Sequence, residues 1–196
     1  IGLLGGERDG AADFATQVRS SFESSLANLH ADYLDSYLLH GPRTGRGLTD
    51  ADWEVWAAME DLHRAGRARS IGVSNVNLDQ IRELFENARV KPQSVQNRCY
   101  AVRGWDRSVR EYCSAQGIAY QGFSLLTANP QVVAHPEVLK TAARHQATPA
   151  QIIFAFVARI GILPLTGTTD PLHMKEDLAA ETLVLTQDEI ERLRAL

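Results

Sequence analysis

Apolar residues along this chain recur at two spacings that alternate from one segment to the next. Between Ala11 and Leu29 they return every three to four residues, as at Phe22 and Leu26, a spacing typical of an amphipathic helix. The run from Tyr33 to Pro42 is instead short, β-prone and ended by glycine and proline, which favours a buried strand. The same two patterns then repeat towards the C-terminus.

Five strands are predicted in all, each followed by a helix. Further strands are predicted at Ser70–Ser74, Ser94–Tyr100 and Gly161–Leu165. The stretch Ala119–Leu125 is typical of a strand end that opens into an irregular loop with Asn129 and Pro130. Further helices are predicted from Thr49, over Leu78–Asn87, Arg107–Ala115 and Pro136–His145, and from Thr148 and Thr186. The start at Thr148 is well marked, because an N-cap threonine precedes Pro149 at the first helical position and Gln151 at the third.

Repeated βα units predict a parallel sheet, either doubly wound or closed into a barrel. No Gly-x-Gly-x-x-Gly follows any predicted strand, which argues against a doubly wound nucleotide-binding sheet. We therefore expect an α/β fold of the (β/α)8 TIM-barrel type. A complete barrel has eight strands and about 250 residues, so this one is expected to be incomplete, with about five of the eight βα units.

The composition is that of an ordinary globular protein. The 196 residues are 44% hydrophobic and 22% charged, which suits one domain over residues 1–196. The opening Ile1–Gly6 resembles the end of a strand running into a loop, so we expect the chain to begin inside a longer protein. A net charge of −4 without a basic cluster argues against nucleic-acid and membrane partners, and we expect a cytoplasmic location. Cys99 and Cys113 have no metal-ligand spacing, so buried thiols and no metal site are expected.

Polar or aromatic side chains stand at the ends of four predicted strands, where a βα-barrel builds its active site. They are His40, Ser74, Asn75, Gln96, Phe123 and Ser124. Each also has a structural explanation: His40 as a satisfied histidine, Asn75 as a helix cap, Gln96 as a partner of the backbone and Phe123 as part of the core. Their convergence on one face of the sheet favours a shared site.

Several stretches, in this order and spacing, resemble the signatures of the aldo-keto reductase family. The matching stretches are Asp35–His40, Trp56–Leu62, Ser70–Asn75, Val95–Arg98, Gly117–Tyr120, Phe123–Leu125 and Leu163–Thr169, followed by a helix with Glu176–Leu178. The resemblance covers nearly the whole chain. It implies a reductase barrel that transfers a hydride between NAD(P)H and an aldehyde or ketone.

The resemblance also implies a cofactor site. Ser74, Asn75 and Gln96 match the positions that hydrogen-bond the nicotinamide carboxamide. Phe123 matches the aromatic residue on which the nicotinamide stacks, where most members have tyrosine; stacking uses the ring face, so phenylalanine should serve. The remaining matched positions are Ser124 and Leu125 at the pyrophosphate, Thr166, Gly167 and Thr168 at the adenosine 2′-phosphate, and Glu176 and Asp177 at the adenine.

Two departures bear on the cofactor, and one on catalysis. Leu165 stands where many members have a lysine against the 2′-phosphate, and His173 stands near a common arginine, so NADP is expected with NAD possible. The two acidic residues Glu176 and Asp177 are explained equally well by a position in the solvent-exposed N-terminal region of a helix as by contact with the adenine. Of the four catalytic residues of the family only the histidine has a match, His40; the general-acid tyrosine and its lysine and aspartate have none.

We therefore expect an oxidoreductase that acts on a small carbonyl compound, with the 196-residue chain itself impaired. A catalytically silent NAD(P)H-binding or interaction protein of the same fold is the alternative, and a phosphate-handling βα-barrel is a third. The open sheet edges lead us to expect self-association as well.

Overall fold

The computed structural model describes residues 13–196, which form an α/β fold with a parallel sheet. The helices are α1 Phe14–Leu29, α2 Asp50–Arg64, α3 Leu78–Asn87, α4 Arg107–Gln116, α5 Pro130–Val133, α6 Pro136–His145, α7 Pro149–Arg159, α8 Pro171–Ala179 and α9 Gln187–Arg194. The strands are β1 Leu34–Leu39, β2 Ala68–Ser74, β3 Ser94–Arg98, β4 Ala119–Phe123 and β5 Leu163–Pro164. One-turn 3₁₀ helices lie at Ala101–Arg103 and Ala180–Thr182. The first two residues predicted for the opening helix fall outside the described residues.

The five strands of the described residues form one sheet in the order β1-β2-β3-β4-β5. Leu34 pairs with Ala68, Gly72 with Ser94, and the pairing is parallel in each case. Each strand lies beside the one that precedes it in sequence, with a helix in between, which is the connection that parallel strands require. The predicted parallel α/β fold is therefore confirmed, and it covers part of a barrel.

The chain divides between Gln96 and Asn97 into two compact units. The core of the first includes Phe22, Trp56, Met59, Ile71 and Ile81, each at most 1% exposed. The core of the second includes Trp105, Ile152, Ile153, Phe156 and Ile162, each at most 2% exposed. Whether residues 1–196 behave as a single domain stays a prediction.

Helix starts in the described residues follow the predicted capping logic. Thr148 accepts a hydrogen bond from the backbone N–H of Gln151, whose side chain accepts one from the N–H of Thr148. Thr49 and Thr186 begin α2 and α9 by the same reciprocal arrangement. The helix after β2 is capped by Asn77, so the explanation of Asn75 as a helix cap is wrong. The N–H groups of a first turn have no partner inside the helix, so these caps remove a penalty of about 1 kcal/mol each.

The cap of α9 also anchors that helix to α6 through a buried carboxylate. Glu189, 1% exposed, accepts hydrogen bonds from Arg144, from His145 at 3.1 Å and from the backbone N–H of Thr186 at 2.9 Å. Burial alone raises the pKa of the Glu189 carboxyl, but the hydrogen bonds outweigh it and lower the pKa to about 2. The charged form is therefore the one that the folded chain stabilises.

The free energy of unfolding should consequently decrease as the pH is lowered below about 5. Because the folded pKa of Glu189 lies below the ordinary value of 4.5, its contribution is complete above about pH 5 and is lost as the pH falls towards 2. We expect the charged Glu189 to contribute roughly 1–3 kcal/mol to the free energy of unfolding at pH 7. Urea unfolding of the wild type and of Glu189→Gln at pH 7 and pH 3.5 checks it. Equal losses of stability in both proteins between the two pH values would contradict the assignment.

Candidate functional site

The carboxyl ends of β1, β2 and β3 bring four of the predicted site residues together in the first unit. The Asn75 side-chain amide donates to the carbonyl of His40 at 2.8 Å and to the hydroxyl oxygen of Ser74 at 3.1 Å. The Ser74 hydroxyl donates to the carbonyl of Gln96 at 2.5 Å, and the Asn75 backbone N–H donates to the same carbonyl at 3.2 Å. His40, Ser74, Asn75 and Gln96 are thus joined by one hydrogen-bond network.

The backbone of this cluster is strained at one residue. Asn75 has a φ of 55°, in the left-handed region, which costs a residue other than glycine about 1–3 kcal/mol. Its side chain is exposed although its nitrogen is anchored to His40 and Ser74, so the amide is held in a fixed orientation at the surface. Ser74 is 6% exposed, so the Asn75 amide is held on its inner side by a buried hydroxyl. Because both donor hydrogens of this amide are used on His40 and Ser74, its side-chain oxygen is the group suited to accept a hydrogen bond from another amide.

The end of β4 carries three more predicted residues in the second unit. Phe123 is half-buried, and the Arg98 guanidinium lies over its ring, 5.6 Å from the ring centroid. Ser124 has a φ of 56°, so the chain turns sharply directly after the strand. Leu125 is 2% exposed and packs into the core of this unit. The explanation of Phe123 as a core residue is not supported, because its side chain is partly open to solvent.

The loop after β5 and helix α8 carry the remaining predicted residues. Leu165 donates its backbone N–H to the carbonyl of Gly122 at 2.8 Å, which places it beside the end of β4. The Thr168 hydroxyl oxygen accepts from the N–H of Asp170, the N-cap of α8. Exposed residues of this region are Thr166, Gly167 and His173, and half-buried ones are Thr168, Glu176 and Asp177. The space where a Cβ would lie on Gly167 is open to 4 Å.

Helix α8 also corrects one explanation made from sequence. It runs from Pro171 to Ala179, so Glu176 and Asp177 lie in its second half. The stabilisation that acidic residues give to the first turn of a helix therefore does not account for them. The carbonyl of Glu176 accepts a hydrogen bond at 3.0 Å from the side chain of Gln151 at the start of α7.

One residue of the second unit was missed by the sequence reasoning. Asn129 follows the end of β4 by six residues and is fully buried at 0% exposure. Its side chain makes hydrogen bonds to three backbone groups, those of Cys99, Ala101 and Leu125. The only available signal was the Asn-Pro pair at 129–130, which predicts a loop without indicating what the asparagine binds.

A buried polar network lies on the strand that carries Phe123. The Tyr120 hydroxyl donates to the carboxylate of Asp106 at 2.7 Å and lies 3.3 Å from the sulfur of Cys99, while Asn97 donates to the same carboxylate at 2.8 Å. Burial raises the pKa of Tyr120 and raises that of Cys99 to about 11. Burial likewise raises the pKa of Cys113 to about 12. Both cysteines are buried and free, as predicted, and neither is a thiolate at neutral pH.

Residues 13–196 offer neither a metal-ligand cluster nor a helix that could span a membrane. Within that range, no three or more His, Cys, Asp or Glu side chains are grouped so that they could hold a metal ion. None of the helices described there is long and apolar enough to cross a membrane.

Comparison with known proteins returns one family. The model of the aldo/keto reductase family matches residues 9–196. The uncharacterized oxidoreductase YtbE of Bacillus subtilis is 33% identical over 180 residues, which cover 92% of this chain and 62% of that protein. Glyoxal reductase of the same organism is 30% identical over 177 residues, covering 90% and 62%. This chain thus spans 62% of the length of these two curated relatives.

Solved structures agree with the sequence comparison. An aldo-keto reductase from a deep-sea metagenome library has a TM-score of 0.85 at 22% identity, covering 95% of this chain and 67% of that one, and this likeness shows the fold. A Bombyx mori aldo-keto reductase in complex with NADP has a TM-score of 0.80 at 25% identity, covering 92% and 63%.

Proposed function

The chain belongs to the aldo/keto reductase family, and on that premise we propose that it serves an oxidoreductase that transfers a hydride between NAD(P)H and an aldehyde or ketone. The observation that carries the proposal is the joined cluster of Ser74, Asn75 and Gln96 at the carboxyl ends of β2 and β3. The side chains of Ser74 and Asn75, which match two of the family's carboxamide-binding positions, are hydrogen-bonded to each other there, and both residues donate to the backbone carbonyl of Gln96, the third matched position. When bound, the cofactor supplies the hydride.

The chemistry of the matched side chains suits a nicotinamide dinucleotide. In the first unit, the side-chain oxygen of the exposed Asn75 accepts a hydrogen bond from the nicotinamide carboxamide, which fixes the face that the ring presents. His40, exposed at the end of β1, orients the carbonyl oxygen of the substrate. In the second unit, the half-buried ring of Phe123 offers a face for stacking. Ser124 and Leu125 carry the backbone expected to meet the pyrophosphate.

We propose NADP as the cofactor, with NAD as the alternative. The exposed Thr166 and Gly167, together with Thr168, offer hydroxyl and backbone N–H groups to a 2′-phosphate, and the space beside Gly167 is open. Leu165 cannot supply the positive charge that a lysine brings at that position. His173 is the nearby substitute for the common arginine, and Glu176 and Asp177 are proposed to contact the adenine. The Bombyx mori relative was solved with NADP, which supports this choice.

NADPH titration of the 196-residue chain, followed by the fluorescence of the reduced cofactor, tests the proposal. We expect binding, and binding about tenfold weaker in Phe123→Ala, because the loss of one stacked ring is worth roughly 1 kcal/mol or more. Tyr33→Ala is the matched control, since Tyr33 is also a partly exposed aromatic residue with an arginine over its ring, Arg69 at 3.9 Å. Absence of NADPH binding by the wild type would refute the proposal.

Turnover measured on the same sample distinguishes a reductase from a catalytically silent NAD(P)H-binding protein. The 196 residues contain no match to the family's tyrosine, lysine and aspartate, so we expect this chain alone to reduce an aldehyde such as glyoxal slowly. Glyoxal is a suitable probe because one relative is a glyoxal reductase. Binding without any turnover favours the catalytically silent alternative.

Two further expectations accompany this proposal. Self-association is supported by the position of β1 and β5 as the outermost strands of the described sheet, since strand edges favour pairing with another chain. A cytoplasmic location stays a prediction from the sequence.

A further inference from the structure

Asn129 lies at the centre of a set of hydrogen bonds in the second unit. Its side-chain oxygen accepts from the backbone N–H of Ala101 at 2.7 Å. Its side-chain nitrogen donates to the carbonyls of Cys99 and Leu125, each at 2.9 Å. An asparagine amide has two donor hydrogens, and both are used here on backbone carbonyls. The residue therefore fastens the segment after β4 to the segment after β3.

The segment held in this way carries an unfavourable backbone conformation. Ser124, with its φ of 56°, directly precedes Leu125, whose carbonyl Asn129 holds. A left-handed serine persists only when its surroundings fix the chain on either side. On the strand side the carbonyl of Phe123 accepts from the N–H of Cys99 at 3.2 Å. On the other side the amide of Asn129 provides the anchor, and the N–H of Ala128 closes the turn on the Ser124 carbonyl at 2.9 Å.

The location of the anchor suggests what it does. Ser124 and Leu125 are the residues whose backbone is proposed to meet the cofactor pyrophosphate, whereas Asn129 is fully buried and cannot touch a ligand itself. An anion site built from backbone groups depends on how well the backbone is held before the anion arrives.

We infer that Asn129 is a positioning residue that holds the Ser124–Leu125 backbone in the form that receives a pyrophosphate. This inference rests on the proposed function. Its distinguishing consequence is selectivity: loss of the Asn129 amide weakens ligands that carry a pyrophosphate and leaves ligands that lack one unaffected. A purely structural role would weaken both kinds of ligand together.

The test compares two ligands in calorimetric titrations of the 196-residue chain. One is 2′-phospho-ADP-ribose, which carries the pyrophosphate, and the other is adenosine 2′-phosphate, which does not. Asn129→Leu keeps the approximate volume and removes every hydrogen bond. We expect its affinity for 2′-phospho-ADP-ribose to be about tenfold lower and its affinity for adenosine 2′-phosphate to stay within about twofold. Asn87→Leu is the control, because the Asn87 amide is exposed and donates to the carbonyl of Glu83, one turn earlier in α3.

Each outcome separates the inference from the function on which it rests. Binding of neither ligand by the wild type refutes the proposed cofactor site. Wild-type binding with an equal loss of both ligands in Asn129→Leu, or with no loss, overturns the inference alone. Should Asn129→Leu fail to fold, NMR of the wild type decides: the Asn129 side-chain amide signals should shift with 2′-phospho-ADP-ribose and not with adenosine 2′-phosphate. Unchanged signals with both ligands would overturn the inference.

Discussion

Replacing Gly72 with alanine is expected to lower the free energy of unfolding by at least about 4 kcal/mol, which is a large share of the roughly 5–15 kcal/mol of an ordinary domain. Gly72 lies in the middle of β2, opposite Ser94 of β3. A Cβ on Gly72 would lie 2.5 Å from the Ser94 carbonyl oxygen and would also overlap the Ser94 hydroxyl. The carbonyl belongs to the backbone of a paired strand, so it can move aside only if β2 and β3 separate.

Urea unfolding followed by circular dichroism measures the effect. Gly45→Ala is the matched control, because nothing lies within 4 Å of a Cβ at Gly45, and its stability should stay within about 0.5 kcal/mol of the wild type. The double variant Gly72→Ala/Ser94→Gly removes the hydroxyl overlap and keeps the carbonyl overlap, so it should recover only part of the loss. A stable Gly72→Ala protein would show that the two strands are not paired as described.

Glu60→Met is expected to cost roughly 2–4 kcal/mol, although the side chain lies on no predicted binding surface. The Glu60 carboxylate is buried at the end of α2, with the residue 3% exposed. One of its oxygens accepts the backbone N–H groups of Arg89 at 2.9 Å and Val90 at 3.0 Å. Methionine has a similar volume but only a weak acceptor, so two partly buried N–H groups would be left without a good partner.

Glu60→Gln provides the control, because the glutamine carbonyl oxygen can accept both N–H groups while the charge is removed. We expect it to lose less than half of the stability that Glu60→Met loses. Thermal unfolding of both variants beside the wild type checks the difference. Equal losses in the two variants would mean that the charge of Glu60, and not its acceptor oxygen, is what the fold requires.

The helices were easier to predict than the strands, because their ends depend on local chemistry. The predicted bounds Leu78–Asn87 and Pro136–His145 agree with α3 and α6. A strand instead ends where its neighbour ends. Ser94–Tyr100 was therefore predicted too long against β3, which stops at Arg98, and Gly161–Leu165 too long against β5, Leu163–Pro164.

Side-chain identity in the candidate site could be read from the sequence, whereas backbone conformation could not. Ser74, Asn75 and Gln96 are expected near one another because parallel strands end at the same edge of a sheet, and the Ser74 and Asn75 side chains are hydrogen-bonded there to each other, with the Ser74 hydroxyl donating to the Gln96 backbone carbonyl. The left-handed conformation of Asn75 had a weak signal, since asparagine adopts it more readily than most residues. The left-handed conformation of Ser124 had no signal in the sequence, because the surrounding segments impose it.

The anchoring role of Asn129 was beyond sequence reasoning for a different reason. Its three partners come from two segments that lie close together only once β3 and β4 have formed. Local patterns cannot reveal a contact across about 30 residues of chain, which is why the buried asparagine was predicted to lie in an irregular loop.

The raised pKa values of the two native cysteines have a practical consequence for spectroscopy. With pKa values of about 11 and about 12, Cys99 and Cys113 are ionised in no more than roughly one molecule in ten thousand at pH 7, and both are buried. A maleimide or a spin label will therefore react with a cysteine introduced at the surface long before it reaches either native thiol. One such cysteine in each unit would allow the distance between the two units to be measured with labels, while both native cysteines are kept.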